Sequence, residues 1–100
     1  MASVQRSPRI AVGPRADDMF VRAVTSGGGT PVSLEQRPDA VIWTGGPDSF
    51  PATLPDSVRW VQLSSAGVER WLTEGIIRRH PQVLWTSAAG AYSATVAEHA

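Results

Sequence analysis

Short apolar runs rich in β-branched and aromatic residues recur along this chain, and glycine, proline or serine ends each of them. The clearest runs are AVIWT (40–44), RWVQL (59–63) and VLWT (83–86), and a shorter one covers 10–12. Continuous apolar runs of this length, bounded by turn residues, are typical of strands buried on both faces. Helical spacing or loops separate the runs. This alternation predicts an α/β fold with a parallel sheet.

One clear helix is predicted after the first run. Its apolar residues recur at helical spacing, and they are Met19, Phe20, Ala23 and Val24. Asp17 or Asp18 can cap its start. Three glycines, 27–29, follow Ser26 and predict the helix end, with one glycine in the left-handed conformation. A second strand is expected over 30–34, at a sheet edge because Pro31 cannot donate a ladder hydrogen bond.

A shorter helix is predicted after the RWVQL strand. Val68, Trp71 and Leu72 fall at i, i+3 and i+4, and Gly75 closes the segment. Because parallel crossovers are right-handed and place helices on both sheet faces, we expect a flavodoxin-like, doubly wound parallel sheet with flanking helices. Trp43, Trp60 and Trp85 lie in predicted strands and are expected in the core.

Composition excludes several classes of function. Nine arginines balance nine acidic residues without any block of like charge, which argues against nucleic-acid or membrane-surface partners. No cysteine is present, so disulfides and thiolate zinc sites are excluded. The N-terminus lacks the apolar segment of a signal peptide, which favours a cytoplasmic protein. Glu98 and His99 point about 100° apart on a helix and make a poor metal pair, so no metal site is expected.

Three loops of small residues follow the predicted strands: TGGP (44–47), SSAG (64–67) and SAAGAY (87–92). Ligands of open parallel sheets bind at the carboxyl ends of the strands. The SSAG turn precedes a helix, so its free backbone N–H groups could hold a carboxylate or phosphate. The alternative is an ordinary turn in which serine caps the helix. Tyr92 is either a polar contact in a pocket or a loop anchor.

Two longer segments, RWVQLSSAGVERWL (59–72) and VLWTSAAGAYSATVAEHA (83–100), together resemble the D-isomer-specific 2-hydroxyacid dehydrogenases. That family shows a strand, a turn of the type S-x-G-[VI]-[DE] and a short helix. A loop leading into a V-A-E-H-like helix start follows about twenty residues later. Both blocks, their order and their spacing match here.

The resemblance implies a two-domain oxidoreductase that transfers hydride between NAD or NADP and a small 2-oxo or 2-hydroxy acid. The resemblance implies that 9–93 form the substrate domain and that 94–100 begin the helix leading to a Rossmann domain. Residues 1–8 are expected from the sequence to form a flexible arm. The capping-box spacing of Thr95 and Glu98 also predicts that helix start. The substrate-binding residues implied are Ser65, Ala66, Gly67, Gly45 and Tyr92. A homodimer is possible for the intact enzyme.

The chain also departs from the family. It contains no G-x-G-x-x-G cofactor motif and none of the family's catalytic Arg, Glu and His residues, so we expect no catalytic, cofactor-binding or metal residue within it. Ala94 replaces a proline of the AYSP-type loop. The sequence reads as an inactive, poorly stable fragment of a longer enzyme. The alternative is a stand-alone α/β module that binds an organic anion or a partner without catalysis.

Overall fold

The fold is a single twisted sheet with helices against it. The computed structural model describes residues 7–64 and 69–87 in full and residues 90–92 as backbone. The strands are β1 (Arg9–Gly13), β2 (Thr30–Val32), β3 (Ala40–Trp43), β4 (Trp60–Leu63), β5 (Leu84–Ser87) and β6 (Gly90–Tyr92). Their order is β2-β1-β3-β4-β5-β6. The first five pair in parallel and β6 pairs antiparallel with β5, so the predicted α/β class with a parallel sheet is confirmed.

Three helices and two 3₁₀ turns connect the strands. They are α1 (Asp18–Ser26), α2 (Glu69–Thr73), α3 (Ile76–Arg79) and the turns Leu34–Gln36 and Pro47–Ser49. The caps predicted for α1 are confirmed. The Asp17 carboxylate accepts the Met19 N–H at 3.0 Å, and Gly28 has the left-handed φ of 91°. Gly75 also takes a positive φ of 76°, but the chain then enters α3, which the sequence did not predict.

The core lies between one face of the sheet and the α2–α3 pair. Ala11, Val41 and Val61 share this face because their strands pair in register. Trp71, Ile76 and Ile77 of the helices are at most 5% exposed against it. The 3₁₀ turn Leu34–Gln36 and the loop after β3 close the remaining area through Leu34, Phe50 and Leu54. Burial of this apolar surface is the main stabilising contribution to the fold.

The opposite face is covered less completely by the described residues. Helix α1 packs there, since a Cβ on Gly29 would lie 2.9 Å from Val24 and 3.2 Å from Ile10. In register with Ile10 across the sheet lie Ala40, Trp60 and Leu84. The prediction that Trp60 belongs to the core is wrong, because its side chain is 40% exposed on this face.

Tertiary packing also departs from the local pattern elsewhere. Met19 and Val24 belong to the same helical pattern, yet Met19 is 67% exposed and Val24 is buried. The loop expected over 87–92 contains β6, whose Ala91 pairs with Thr86 and whose Tyr92 pairs with Trp85. Glycine and alanine have low strand propensity, so we attribute β6 to pairing with the backbone N–H and C=O groups along the open edge of β5.

Other predicted features lie partly or wholly outside the described residues. Residues 1–6 of the predicted arm are among these, whereas the Pro8 carbonyl accepts the Thr30 N–H at 2.8 Å. The helix start predicted at Thr95 and Glu98 also lies outside. Among the helices that the structure describes, none has the length and apolar character needed to cross a bilayer.

Candidate functional site

The carboxyl ends of three neighbouring strands meet at one edge of the sheet. The backbone N–H of Thr44 donates to the Gly13 carbonyl at 2.7 Å, and its hydroxyl donates to the same oxygen at 3.1 Å. The N–H of Ser64 donates to the Trp43 carbonyl at 3.0 Å. The loops after β1, β3 and β4 therefore begin side by side. This is where an open α/β sheet binds its ligands.

The TGGP loop is held closely against the loop that follows β1. A Cβ on Gly45 would lie 3.0 Å from Pro14 Cδ and 3.1 Å from Ser49 Oγ, so glycine is the residue that fits without displacing a neighbour. The Gly46 carbonyl accepts the Trp43 indole N–H at 2.9 Å. Gly45 is thus half-buried at the carboxyl end of β3, at the edge where the sequence predicted a substrate contact.

Most of the predicted substrate-binding residues cannot be placed in the same way. Ser65, Ala66 and Gly67 lie outside the described residues, between Ser64 at the end of β4 and the start of α2. Tyr92 belongs to β6 by its backbone, and its side chain is likewise outside the description. The structure therefore brings Gly45 and Ser64 to one edge, and the other roles stay predictions.

A cavity of about 700 Å³ opens beside the same edge, next to β1 and β2. Its wall comes from β1, the loop after it, α1, β2, the first 3₁₀ turn, β3 and the loop after β3. Pro14, Val32, Leu34 and Trp43 supply apolar surface, and Ser33, Gln36 and Ser49 supply polar groups. Sequence reasoning missed this cavity because its wall joins segments that are distant in the chain and that individually read as turns or strand ends.

The charges around this cavity are mainly negative. Glu35 is the charged side chain in the wall, and it makes no ion pair or hydrogen bond with any other described residue. Ala16, which also lines the cavity, leads into α1, where Asp17 caps the helix and Asp18 occupies the first turn. The positive end of the α1 dipole is therefore already compensated.

The titratable group that is buried most deeply lies in an aromatic cluster in the core. The Phe50 ring lies 5.1 Å from Trp43, 5.2 Å from Trp71 and 5.5 Å from Trp85. His80 is 8% exposed, and its ring lies 6.3 Å from both Phe50 and Trp85. Burial, and then the charge of Arg79, lowers the pKa of His80 below its ordinary value. This histidine is enclosed by packing and presents no surface to a ligand.

Metal and nucleophile chemistry finds little support in the described part of the chain. Within residues 7–64 and 69–87, no three His, Asp or Glu side chains come together in a way that could hold a metal ion. Ser64 is exposed at the end of β4, and the histidine among the described residues, His80, packs within the aromatic cluster. A serine nucleophile needs an adjacent base.

The comparisons with known proteins give one relative and no family. No family model matches the chain, and no solved structure matches it. A protein of Corynebacterium melassecola, described as "Uncharacterized protein in proB 3'region", is 35% identical over 77 residues. Those residues are 76% of this chain and 24% of that protein. The chain thus matches about a quarter of the length of its relative.

Proposed function

We propose that this chain is the substrate-binding part of an NAD(P)-dependent D-2-hydroxyacid dehydrogenase. The observation that carries the proposal is the position of Ser64, the first residue of the SSAG segment. Ser64 leaves β4 beside the end of β3, so the turn starts at the edge where the TGGP loop also begins. The two family-like segments, 59–72 and 83–100, thus flank the carboxyl ends of neighbouring strands.

A flavodoxin-like fold is part of the same proposal. The five parallel strands follow the order 2-1-3-4-5, which is the order of flavodoxin-like sheets. In such sheets the order reverses between β1 and β3, and ligands bind near that switch point. The tight contact between Gly45 and Pro14 lies there. This agreement supports the proposed fold and the choice of edge.

The proposed substrate is a small 2-oxo or 2-hydroxy acid of the glyoxylate, hydroxypyruvate or phosphoglycerate type. Its carboxylate would accept hydrogen bonds from the backbone N–H groups of Ala66 and Gly67, with Ser65 beside them. Hydrogen bonds from backbone N–H groups to a carboxylate are charge-assisted and fix its orientation. Gly45 would form the opposite wall, and Tyr92 would contact the substrate.

The described residues do not fit a dinucleotide. The loop after β1 reads GPRADD and not G-x-G-x-x-G, and the Asp17 carboxylate already occupies the first free amide of α1. In the proposed enzyme a separate Rossmann domain would bind NAD or NADP, and the nicotinamide would supply the hydride. The part of this chain is to hold and orient the acid.

The length of the relative agrees with a substrate-binding domain and a separate cofactor-binding domain in one protein. Its matched segment is about a quarter of the protein, which leaves ample length for a second domain of about 150 residues. The relative's description names no activity, so it supports the arrangement of domains and not the chemistry. A homodimer of the intact enzyme belongs to the same proposal.

The test of this function has two steps. The DNA beyond the Ala100 codon is sequenced to determine the reading frame. The protein encoded by the full frame is then assayed for oxidation of NADH and NADPH with glyoxylate and hydroxypyruvate. In that product Ala66→Pro removes one backbone N–H, and kcat/KM should fall roughly 10- to 100-fold, the worth of a hydrogen bond to a charged group. Ala66→Ser keeps the N–H and should stay near the parent activity.

The stand-alone anion-binding module is the competing function, and the same experiment separates the two. If the frame encodes no dinucleotide-binding domain, or if the full product oxidises neither cofactor with any 2-oxo acid, the dehydrogenase proposal is wrong. Glyoxylate is then titrated into the 100-residue chain while the amide signals of Gly45 and Ser64 are followed. Saturable shifts at both would favour the module.

A further inference from the structure

The cavity beside β1 has the size and shape of a small-molecule site. Its volume of about 700 Å³ lies within the usual range for ligand pockets, roughly 300–1,000 Å³. It lies at the carboxyl ends of β1, β2 and β3, and ligands of open α/β sheets bind near the switch point between β1 and β3. Apolar walls with a few polar groups at the mouth are the usual composition of such pockets.

One wall of the cavity is held in place before any ligand arrives. The Trp43 ring is 3% exposed and is fixed by three contacts. Its indole N–H donates to the Gly46 carbonyl at 2.9 Å, and its ring packs edge-on against Phe50 at 5.1 Å. Its other contact is Gly13, where an added Cβ would lie 2.5 Å from the ring. A wall fixed in this way loses little entropy when a ligand binds.

The charged residue at the mouth favours a cation over an anion. Gln36 Oε1 is already occupied, since it accepts the Ser33 N–H at 2.8 Å and the Ser33 hydroxyl at 3.3 Å, whereas Glu35 makes no ion pair or hydrogen bond with another described residue. Arg15 and Arg37 are neighbours of lining residues in sequence, but both are exposed and neither lines the cavity. An anion entering here would meet Glu35 and the capped start of α1 and would find no cation in the wall.

We propose that this cavity binds a small molecule with an apolar body and a primary amine. The apolar body lies against Pro14, Val32 and Leu34, and the ammonium group lies beside Glu35. This ligand is a cation, whereas the 2-oxo acid proposed for the SSAG turn is an anion. The inference uses no feature of the dehydrogenase proposal, and either one can fail without the other.

The test uses the whole chain and three probes of nearly the same size. Benzylamine, benzyl alcohol and benzoate are titrated separately while the amide signals of Gly13, Val32 and Gln36 are recorded by NMR. Benzylamine should shift these signals saturably and more tightly than benzyl alcohol, with benzoate the weakest. Glu35→Gln should weaken the binding of benzylamine about three- to fivefold, an effect of the size expected for a solvent-exposed charge pair. The same variant should bind benzyl alcohol with unchanged affinity.

A blocking variant separates binding in the cavity from binding elsewhere. Ala16 is exposed at the rim, so Ala16→Trp should abolish the benzylamine shifts. Arg22→Trp adds the same ring to the exposed side of α1 and should leave them intact. The proposal is overturned if benzylamine gives no saturable shift, if benzoate binds as tightly, if Ala16→Trp binds normally, or if the chain gives no dispersed amide signals at all.

Discussion

The indole ring of Trp43 occupies the space where any other residue at position 13 would carry its side chain. A Cβ on Gly13 would lie 2.5 Å from Trp43 Cζ3 and 2.9 Å from Cε3, inside van der Waals contact. The two residues are register partners on β1 and β3. Their contact lies at the ends of these strands, from which the loop after β1 and the TGGP loop depart.

The first prediction concerns this contact. Gly13→Ala should lower the free energy of unfolding by roughly 1–3 kcal/mol, because the added methyl group overlaps a buried ring and must displace it from its packing. Gly46→Ala is the matched control, since a Cβ there would meet no atom within 4 Å. Urea denaturation followed by tryptophan fluorescence measures both. Equal stability of the two variants would contradict the close approach of the ring.

The second prediction concerns Phe50, the centre of the aromatic cluster. Its ring packs against three tryptophans and a histidine, so Phe50→Ala removes four ring contacts at once. We expect a loss of roughly 3 kcal/mol from the free energy of unfolding. Met19→Ala, at a residue that is 67% exposed, should change it by less than about 0.5 kcal/mol. A Phe50→Ala variant as stable as the parent would show that the ring is not packed as described.

The third prediction is a dependence of stability on pH that comes from His80. Burial, and then Arg79, lowers its pKa in the folded protein from the ordinary value of 6.5. As the pH falls through about 6.5, the unfolded chain takes up a proton before the folded one does. The free energy of unfolding should therefore decrease below this pH and level off once the folded form is protonated too.

His80→Phe keeps a ring in the cluster and removes the titration. Its free energy of unfolding, measured by urea denaturation across the same pH range, should lack the part of the slope that His80 contributes. The difference between the two proteins is the readout, because carboxylates elsewhere titrate equally in both. A parent protein that becomes more stable relative to the variant as the pH falls would reverse the sign and contradict the prediction.

The fourth prediction concerns the sheet face that the described residues leave partly uncovered. Leu84 and Trp60 are register partners there, 47% and 40% exposed. Leu84→Thr should reduce the binding of an apolar dye such as ANS and change the free energy of unfolding by less than about 0.5 kcal/mol. Val83→Thr changes the adjacent residue, which is 1% exposed, and should cost at least about 1 kcal/mol. The opposite ranking would contradict the assignment of faces.

Local signals in the sequence were sufficient for most of the elements. The apolar runs at 40–44 and 59–63 mark β3 and β4 to within one residue. Asp17 indicates the start of α1 because its carboxylate accepts a hydrogen bond from a backbone N–H in the first turn of the helix. Gly28 indicates the end of α1 because glycine adopts the left-handed conformation required there without a steric penalty. Such signals depend on neighbours in the chain, which the sequence displays directly.

Tertiary structure decided what depends on residues distant in the chain. Trp60 and Trp85 both lie in apolar runs, yet register and the location of the helices leave Trp60 exposed and enclose Trp85 completely. Strand β6 exists because β5 offers an open edge, and the cavity exists because seven segments of the chain meet around it. The sequence alone determined where the chain becomes strand or helix, through hydrogen bonding and steric preferences within a few residues. Which faces and ends then meet followed from burial, a property of the assembled sheet.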